Sequence, residues 1–414
     1  MKTNCILIVL ANLLPFFAVY AQSDTFEITI EPLSNEKFST AEYTLWIPDG
    51  VERVERIILH QHGCGKWAQD SGRTVTDDLH WRLLAQKTKS ALLGSSLWPE
   101  DECREWCDPN NGTERAYLEA LNELSTISGH PEIATVNWII WGHSGGGYWT
   151  QLMLQKYPQR FEAAILQSGG FRNGDVLGTP ITSLPYANSV PILIHTGIGE
   201  KDHERFSETY KNAIVFFKTM RAKGGRATLA IDPESGHNSG NSRYLSIPWI
   251  FAVIKGQQNA EKIRPIAYSE HGIWFPDENI GEKWEAFTKL GKVPDASAPE
   301  LPPYNLKAKK AYYGIALSWN VVPDWESGIK TFRIYRDGQL LPPYSTPLRP
   351  IDKEDFTENF REPSGMDTPN APVSQMIYND TLTEKGAIYE YEVSFVNWSG
   401  LESLKSRPIK IKSP

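Results

Sequence analysis

Four cysteines in 414 residues cannot build a disulfide-stapled scaffold, so the chain must fold around an apolar core. Basic charge is also short. Lys and Arg number 42 against 50 Asp and Glu, a net charge of -8, with no Lys/Arg patch interleaved with aromatics. That removes the electrostatic footprint of a nucleic-acid binder. Beyond the first residues no apolar run is long enough to span a bilayer. The histidines and thiols lack a coherent ligand pattern. His60 and His62 stand two apart with no third ligand nearby, so no metal and no cofactor are expected.

The one long apolar run opens the chain, MKTNCILIVLANLLPFFAVYAQS. Lys2 supplies a positive start, Ile6 to Tyr20 is mostly apolar, and Ala21 precedes a suitable cut with Val19 two residues earlier. Residues 1–21 therefore read as a secretory signal peptide, and the mature protein is expected to be secreted or periplasmic, with no membrane span. Cys5 leaves with that segment. Cys64, Cys103 and Cys107 remain, and export permits one bridge. Cys103 with Cys107, or Cys64 with either, are equal pairings.

At Val136 to Tyr148 the chain reads VNWIIWGHSGGGY. An apolar strand-like run meets a Gly/Ser turn, and YWTQLMLQKYP continues as a helix. This is G-x-S-x-G in a strand–turn–helix setting, which holds Ser144 on a strained bend with its hydroxyl exposed. A serine hydroxyl attacks only if a base takes its proton. His237, in the small-residue loop DPESGHNSG after the last expected strand, is the candidate base. The third member is a carboxylate that holds the imidazole tautomer. The loop TGIGEKDHERF offers Glu200 and Asp202, and the preference is for Asp202. Oxyanion donors are expected from the backbone N–H of Gly145 and of Cys64, the latter in the turn HQHGCGKW.

Strands alternate with helices from about residue 26 to 255, which predicts a largely parallel sheet covered on both faces. From about 256 the alternation stops. The piece HGIWFPDENIGEKWEAF is expected to pack on the first domain, and Pro299, Pro302 and Pro303 mark a boundary. Residues 22–300 then form one domain, and 301–414 form a second with period-two strands and no helix. In the first domain, Trp98 and Trp106 lie in the acidic segment LWPEDECREWCDPNNG, read as a loop over the sheet. With Trp67, Trp149 and Phe171 they are expected to offer stacking surfaces, and His195, at a strand end, is expected to line the site.

The order Ser144, acid, His237 resembles the α/β-hydrolases, a doubly wound, mostly parallel sheet. The early HG turn and the leader resemble secreted members similar to polyhydroxybutyrate depolymerases and feruloyl or acetylxylan esterases. The C-terminal part resembles a fibronectin type III sandwich through ALSWN, K-x-F-x-I-Y-R-D-G and Y-x-Y-x-V-x-x-V-N followed by S-G-x-E-S, with an insertion at 340–380. The resemblance implies a serine hydrolase acting on a carboxylic ester of a small molecule or polysaccharide. The alternatives are a serine peptidase of the same fold and a non-catalytic glycan-binding protein.

Overall fold

Strands buried on both faces are apolar through their middles, as in RIILHQ, NWIIWGH and ILIHTG, where the polar residues fall at or near the strand ends. The computed structural model describes residues 25–100, 102–169, 189–256, 262–312, 314–341 and 376–414. Eight strands form the main sheet: β1 (Thr25–Ile30), β2 (Phe38–Trp46), β3 (Arg56–Gln61), β4 (Ser90–Pro99), β5 (Asn137–His143), β6 (Phe161–Gln167), β7 (Ile192–Gly197) and β8 (Ala227–Asp232). They lie in the order β1-β2-β4-β3-β5-β6-β7-β8. β2 runs antiparallel to β1 and β4, and all pairings from β4 across to β8 are parallel. This is the doubly wound, mostly parallel sheet that the sequence pattern predicts. Ile57 to Leu59 and Trp138 to Trp141 are at most 1% exposed, so both faces are covered.

The covering helices are α1 (Lys66–Ser71), α2 (Leu79–Lys87), α3 (Cys103–Trp106), α4 (Thr113–Ile127), α5 (Gly145–Lys156), α6 (Ser207–Ala222) and α7 (Arg243–Lys255). Local sequence explains several of their starts. Asp78 caps α2 by accepting from the His80 and Trp81 N–H groups. Two segments differ from expectation. The acidic, cysteine-bearing stretch is not an open loop but the short helix α3, closed by a capping box between Glu102 and Glu105. The piece after residue 256 is a hairpin, β9 (Lys262–Ile266) and β10 (Ser269–Phe275), followed by α8 (Glu278–Leu290). Asp277 caps α8, and left-handed Gly291 ends it. It does pack on the sheet: the Trp284 indole donates to Leu229 O and the Thr228 hydroxyl to Trp274 O, both at 2.6 Å.

The last part is all β: β11 (Tyr304–Ala311), β12 (Gly314–Asn320), β13 (Thr331–Arg336), β14 (Gln339–Leu340), β15 (Met376–Asp380), β16 (Ile388–Val396) and β17 (Ile409–Lys412). β11-β12-β15 and β14-β13-β16-β17 form two antiparallel sheets. Ile315, Leu317 and Trp319 of β12 alternate inward to meet Tyr391, Val393 and Phe395 of β16. The expected insertion falls mainly on 342–375, outside the described residues.

Trp325, between β12 and β13, docks the sandwich. Its ring meets Phe251 of α7 edge-on at 5.2 Å, Lys87 lies 5.1 Å over it, and His80 Nε2 donates to its carbonyl at 2.9 Å. Nearby, Asp295 in the connecting segment accepts from Ser327 Oγ at 2.7 Å and Asn397 Nδ2 at 2.9 Å. Among the described residues no helix is long and apolar enough to cross a membrane.

Candidate active site

Three loops at the carboxyl ends of β5, β7 and β8 bring the site together. Ser144 sits between β5 and α5 at φ 51°, ψ -115°, a conformation L-residues rarely adopt. Holding it costs on the order of 1–3 kcal/mol, which the packed strand and helix on either side must supply. The packing leaves no room for a side chain behind the bend. A Cβ on Gly146 would lie 2.3 Å from Gln61 O and 2.4 Å from His62 O. Glycine there lets α5 start directly against the end of β3.

His237 lies in the loop after β8. Its Nε2 is 2.8 Å from Ser144 Oγ, and its Nδ1 is 2.8 Å from Glu200 Oε1. With Nδ1–H donating to the carboxylate, Nε2 is left to accept from the serine hydroxyl. Glu200 is fully buried, and its other oxygen accepts from Thr196 Oγ1 at 2.5 Å. Gly199 N donates to Ser235 O at 3.0 Å, which ties the acid loop to the histidine loop.

Of the two candidate acids, one meets the imidazole. Glu200, not Asp202, reaches His237. After β7 the chain curls into a 3₁₀ turn over Ile198–Glu200, with Lys201 N bonded to Ile198 O at 3.1 Å. The turn sends Glu200 inward and leaves Asp202 exposed. Spacing along the chain could not show this, because one turn of helix reverses which residue faces in.

Gly145 opens α5, so its N–H has no partner within the helix. The Gly63–Cys64 turn lies against it: a Cβ on Gly145 would be 2.5 Å from Cys64 Sγ, and one on Gly63 would be 3.2 Å from Ser144 Cβ. Both expected oxyanion donors thus belong to backbone that borders the serine. The disulfide joins Cys64 to Cys103, with Cα atoms 5.5 Å apart, and so anchors this turn to α3. Cys107 is buried and stands outside the bridge.

Three expected substrate contacts are also corrected. Trp106 is fully buried and packs on His62, with ring centroids 4.8 Å apart. Trp149 is fully buried on α5 and donates to Thr113 Oγ1 at 3.0 Å. His195 is fully buried against Phe287 of α8, at 5.3 Å. Each lies on the core side of its element, where bulk and apolar neighbours hold it. Trp98 is half-buried at the end of β4, with the Lys66 ammonium 5.1 Å over its ring. The side chain of Trp67 and the whole of Phe171 lie outside the described residues.

The surrounding histidines are neutral at ordinary pH. Burial first, then the neighbouring His237, His195 and His62, bring His143 down to about 3. Burial alone brings His195 down to about 3. Burial brings His62 down to about 4, against the opposing pull of its bond to Gly63 O. His62 Nε2 accepts from Leu97 N at 2.8 Å, so it braces the turn before Cys64. Phe206, which the sequence reading passed over, lies flat on the His237 ring, with centroids 3.6 Å apart and planes 2° apart. The available signal was an aromatic placed between the acid loop and the next helix.

No family model and no curated protein match the chain. Among solved structures it is similar to a fluorophosphonate-binding serine hydrolase of Staphylococcus aureus. That likeness has 14% identity and TM-score 0.40, over 56% of this chain and 99% of that one. It is similar to a dienelactone hydrolase from Anabaena variabilis at 17% identity, TM-score 0.38, over 56% and 98%. It is also similar to an Fn3-like protein from Clostridium thermocellum at 22% identity, TM-score 0.18, over 28% and 96%.

Proposed function

We propose that the protein is a serine hydrolase that cleaves a carboxylic ester through an acyl-enzyme. One observation carries the reading: a single imidazole bonds Ser144 through Nε2 and buried Glu200 through Nδ1, both at 2.8 Å. His237 takes the serine proton as Oγ attacks the acyl carbonyl. The oxyanion is met by the N–H groups of Gly145 and Cys64. Each such donor is worth about 3 kcal/mol of barrier. The Glu200 carboxylate holds the imidazole tautomer and stabilises the imidazolium. His237 then protonates the leaving alcohol, and water activated by the same ring releases the acid. No cofactor takes part.

The substrate we propose is a polar ester, including one carried on a carbohydrate. Trp98, half-buried at the end of β4 with the Lys66 ammonium over its ring, supports a polar group stacking there. The leader-like N-terminus supports action outside the cytoplasm.

The test is a screen of nitrophenyl acetate and butyrate, acetylated xylan, methyl ferulate and small peptides. It is run on wild type beside Ser144→Ala. Ester turnover should fall by about 10⁶-fold in the variant. Equal turnover by the two proteins would remove the nucleophile, and cleavage of peptides alone would replace esterase by peptidase.

A further inference from the structure

We propose that Phe206 is a positioning residue for His237, and that its ring face stabilises the imidazolium formed during turnover. The inference rests on the serine-hydrolase reading and assigns a further part of the same site. Aromatic pairs in proteins ordinarily sit offset or edge-on, with centroids about 4.5–7 Å apart. Phe206 and His237 are face to face at 3.6 Å and 2°. A phenyl face is electronegative, so it gains little from a neutral imidazole and more from a cation. The contact therefore strengthens as the serine proton arrives on the ring. An interaction stronger in the transition state than in the ground state raises kcat rather than lowering KM.

The backbone shows how the grip is built. Lys201 N bonds to Ile198 O at 3.1 Å, His203 N to Glu200 O at 3.1 Å and Phe206 N to His203 O at 3.2 Å. Tyr210 N then bonds to Phe206 O at 3.2 Å, which carries the series into α6. One continuous set of turns thus presents Glu200 to the edge of the imidazole and Phe206 to its face. Edge and face held together leave the ring no rotation away from Ser144. Glu200 meets Nδ1, and His143 stands 5.4 Å away, centroid to centroid. His203 at 4.7 Å and the Arg205 guanidinium at 5.1 Å also lie against the Phe206 ring.

The experiment compares wild type, Phe206→Leu and Phe206→Tyr on nitrophenyl acetate across pH. In parallel it records ring-proton NMR signals of His237 in a Ser144→Ala background. Leucine keeps an apolar cover but has no π face. We expect kcat to fall about three- to thirty-fold with KM within about twofold, and the acid limb of the rate profile to move to lower pH. Tyrosine should restore both. The His237 ring protons should lie upfield in the Ser144→Ala protein and lose that shift when Phe206→Leu is added. If the leucine variant fails to fold, fluorinated phenylalanines at 206 keep the shape and weaken the face stepwise, and kcat should follow. A flat response to fluorination, or an unchanged kcat and acid limb in Phe206→Leu, overturns the inference while ester turnover keeps the hydrolase reading. If wild type cleaves no ester but the NMR shift still depends on Phe206, the stacking stands as a structural grip. The hydrolase reading and the kinetic role then fall.

Discussion

In the eight-stranded sheet, buried polar side chains gather at the edge of the proposed site; in the sandwich, buried Asp380 is held by charged and hydroxyl partners. His143, Gln167 and His195 end or nearly end β5, β6 and β7 in register with one another, all buried. Among the described residues neither ring nitrogen of His143 or His195 finds a hydrogen-bond partner. The sandwich treats Asp380 differently. Its carboxylate accepts from Arg336 at 2.9 Å and from the Tyr391 hydroxyl at 2.7 Å. Glu402 likewise takes Ser394 and Tyr335. Unsatisfied groups cost stability, and strain at Ser144 adds to the cost. The first part tolerates both at the edge where chemistry is proposed, because its large apolar core offsets them. The sandwich also carries some of each, with Tyr378 Oη and Asn379 Oδ1 buried without partners among the described residues and Asn305 and Asp337 at positive φ, but none of these stands where chemistry is proposed.

The comparison can be broken most sharply at the acid loop. Glu200→Gln should cut kcat on an ester by about 10⁴-fold, while Asp202→Asn should stay within about twofold. Equal losses would mean that burial in this loop does not choose the working acid.

A second contrast is in acid. All nine histidines precede residue 304, so the sandwich has none. A histidine held below its ordinary value takes up its proton first in the unfolded chain. Stability from His62, His143 and His195 is thus fully present above about pH 6.5 and is lost as pH falls toward 3–4. At pH 5 each such group costs about 2 kcal/mol. Hydrogen exchange measured between pH 8 and 5 should show β5 to β7 losing protection while β12 and β16 keep theirs. Parallel loss in both regions would erase the distinction.

The smallest effect lies in the sandwich. Tyr391→Phe removes one of the bonds to Asp380 and should lower stability by about 1–2 kcal/mol, read as a drop in Tm, with ester turnover unchanged.

The Ser144 bend was legible because its signal is local: an apolar strand, a glycine turn and a helix in one short stretch. His237 was legible because small residues around a lone histidine do not build a strand. Other features depended on contacts between distant segments. Trp106 and Trp149 read as platforms until α3 and α5 turned them into the core. The hairpin β9–β10 was hidden by Pro265 and by the bulge at its turn, and α8 by a short amphipathic run whose caps, Asp277 and Gly291, were the signal to use. The strands β11 and β17 carry so many lysines that alternation alone did not separate them from surface loop.

Sequence alone determined the order of elements, the strained serine and the change of period that separates sheet from sandwich. These follow from side-chain size and polarity repeating along the backbone. Tertiary structure alone decided that Glu200 takes the imidazole, that Cys64 pairs with Cys103 and that Phe206 covers His237. Each is a meeting of loops from different strand ends, and only the packed sheet sets which side of each loop faces the others.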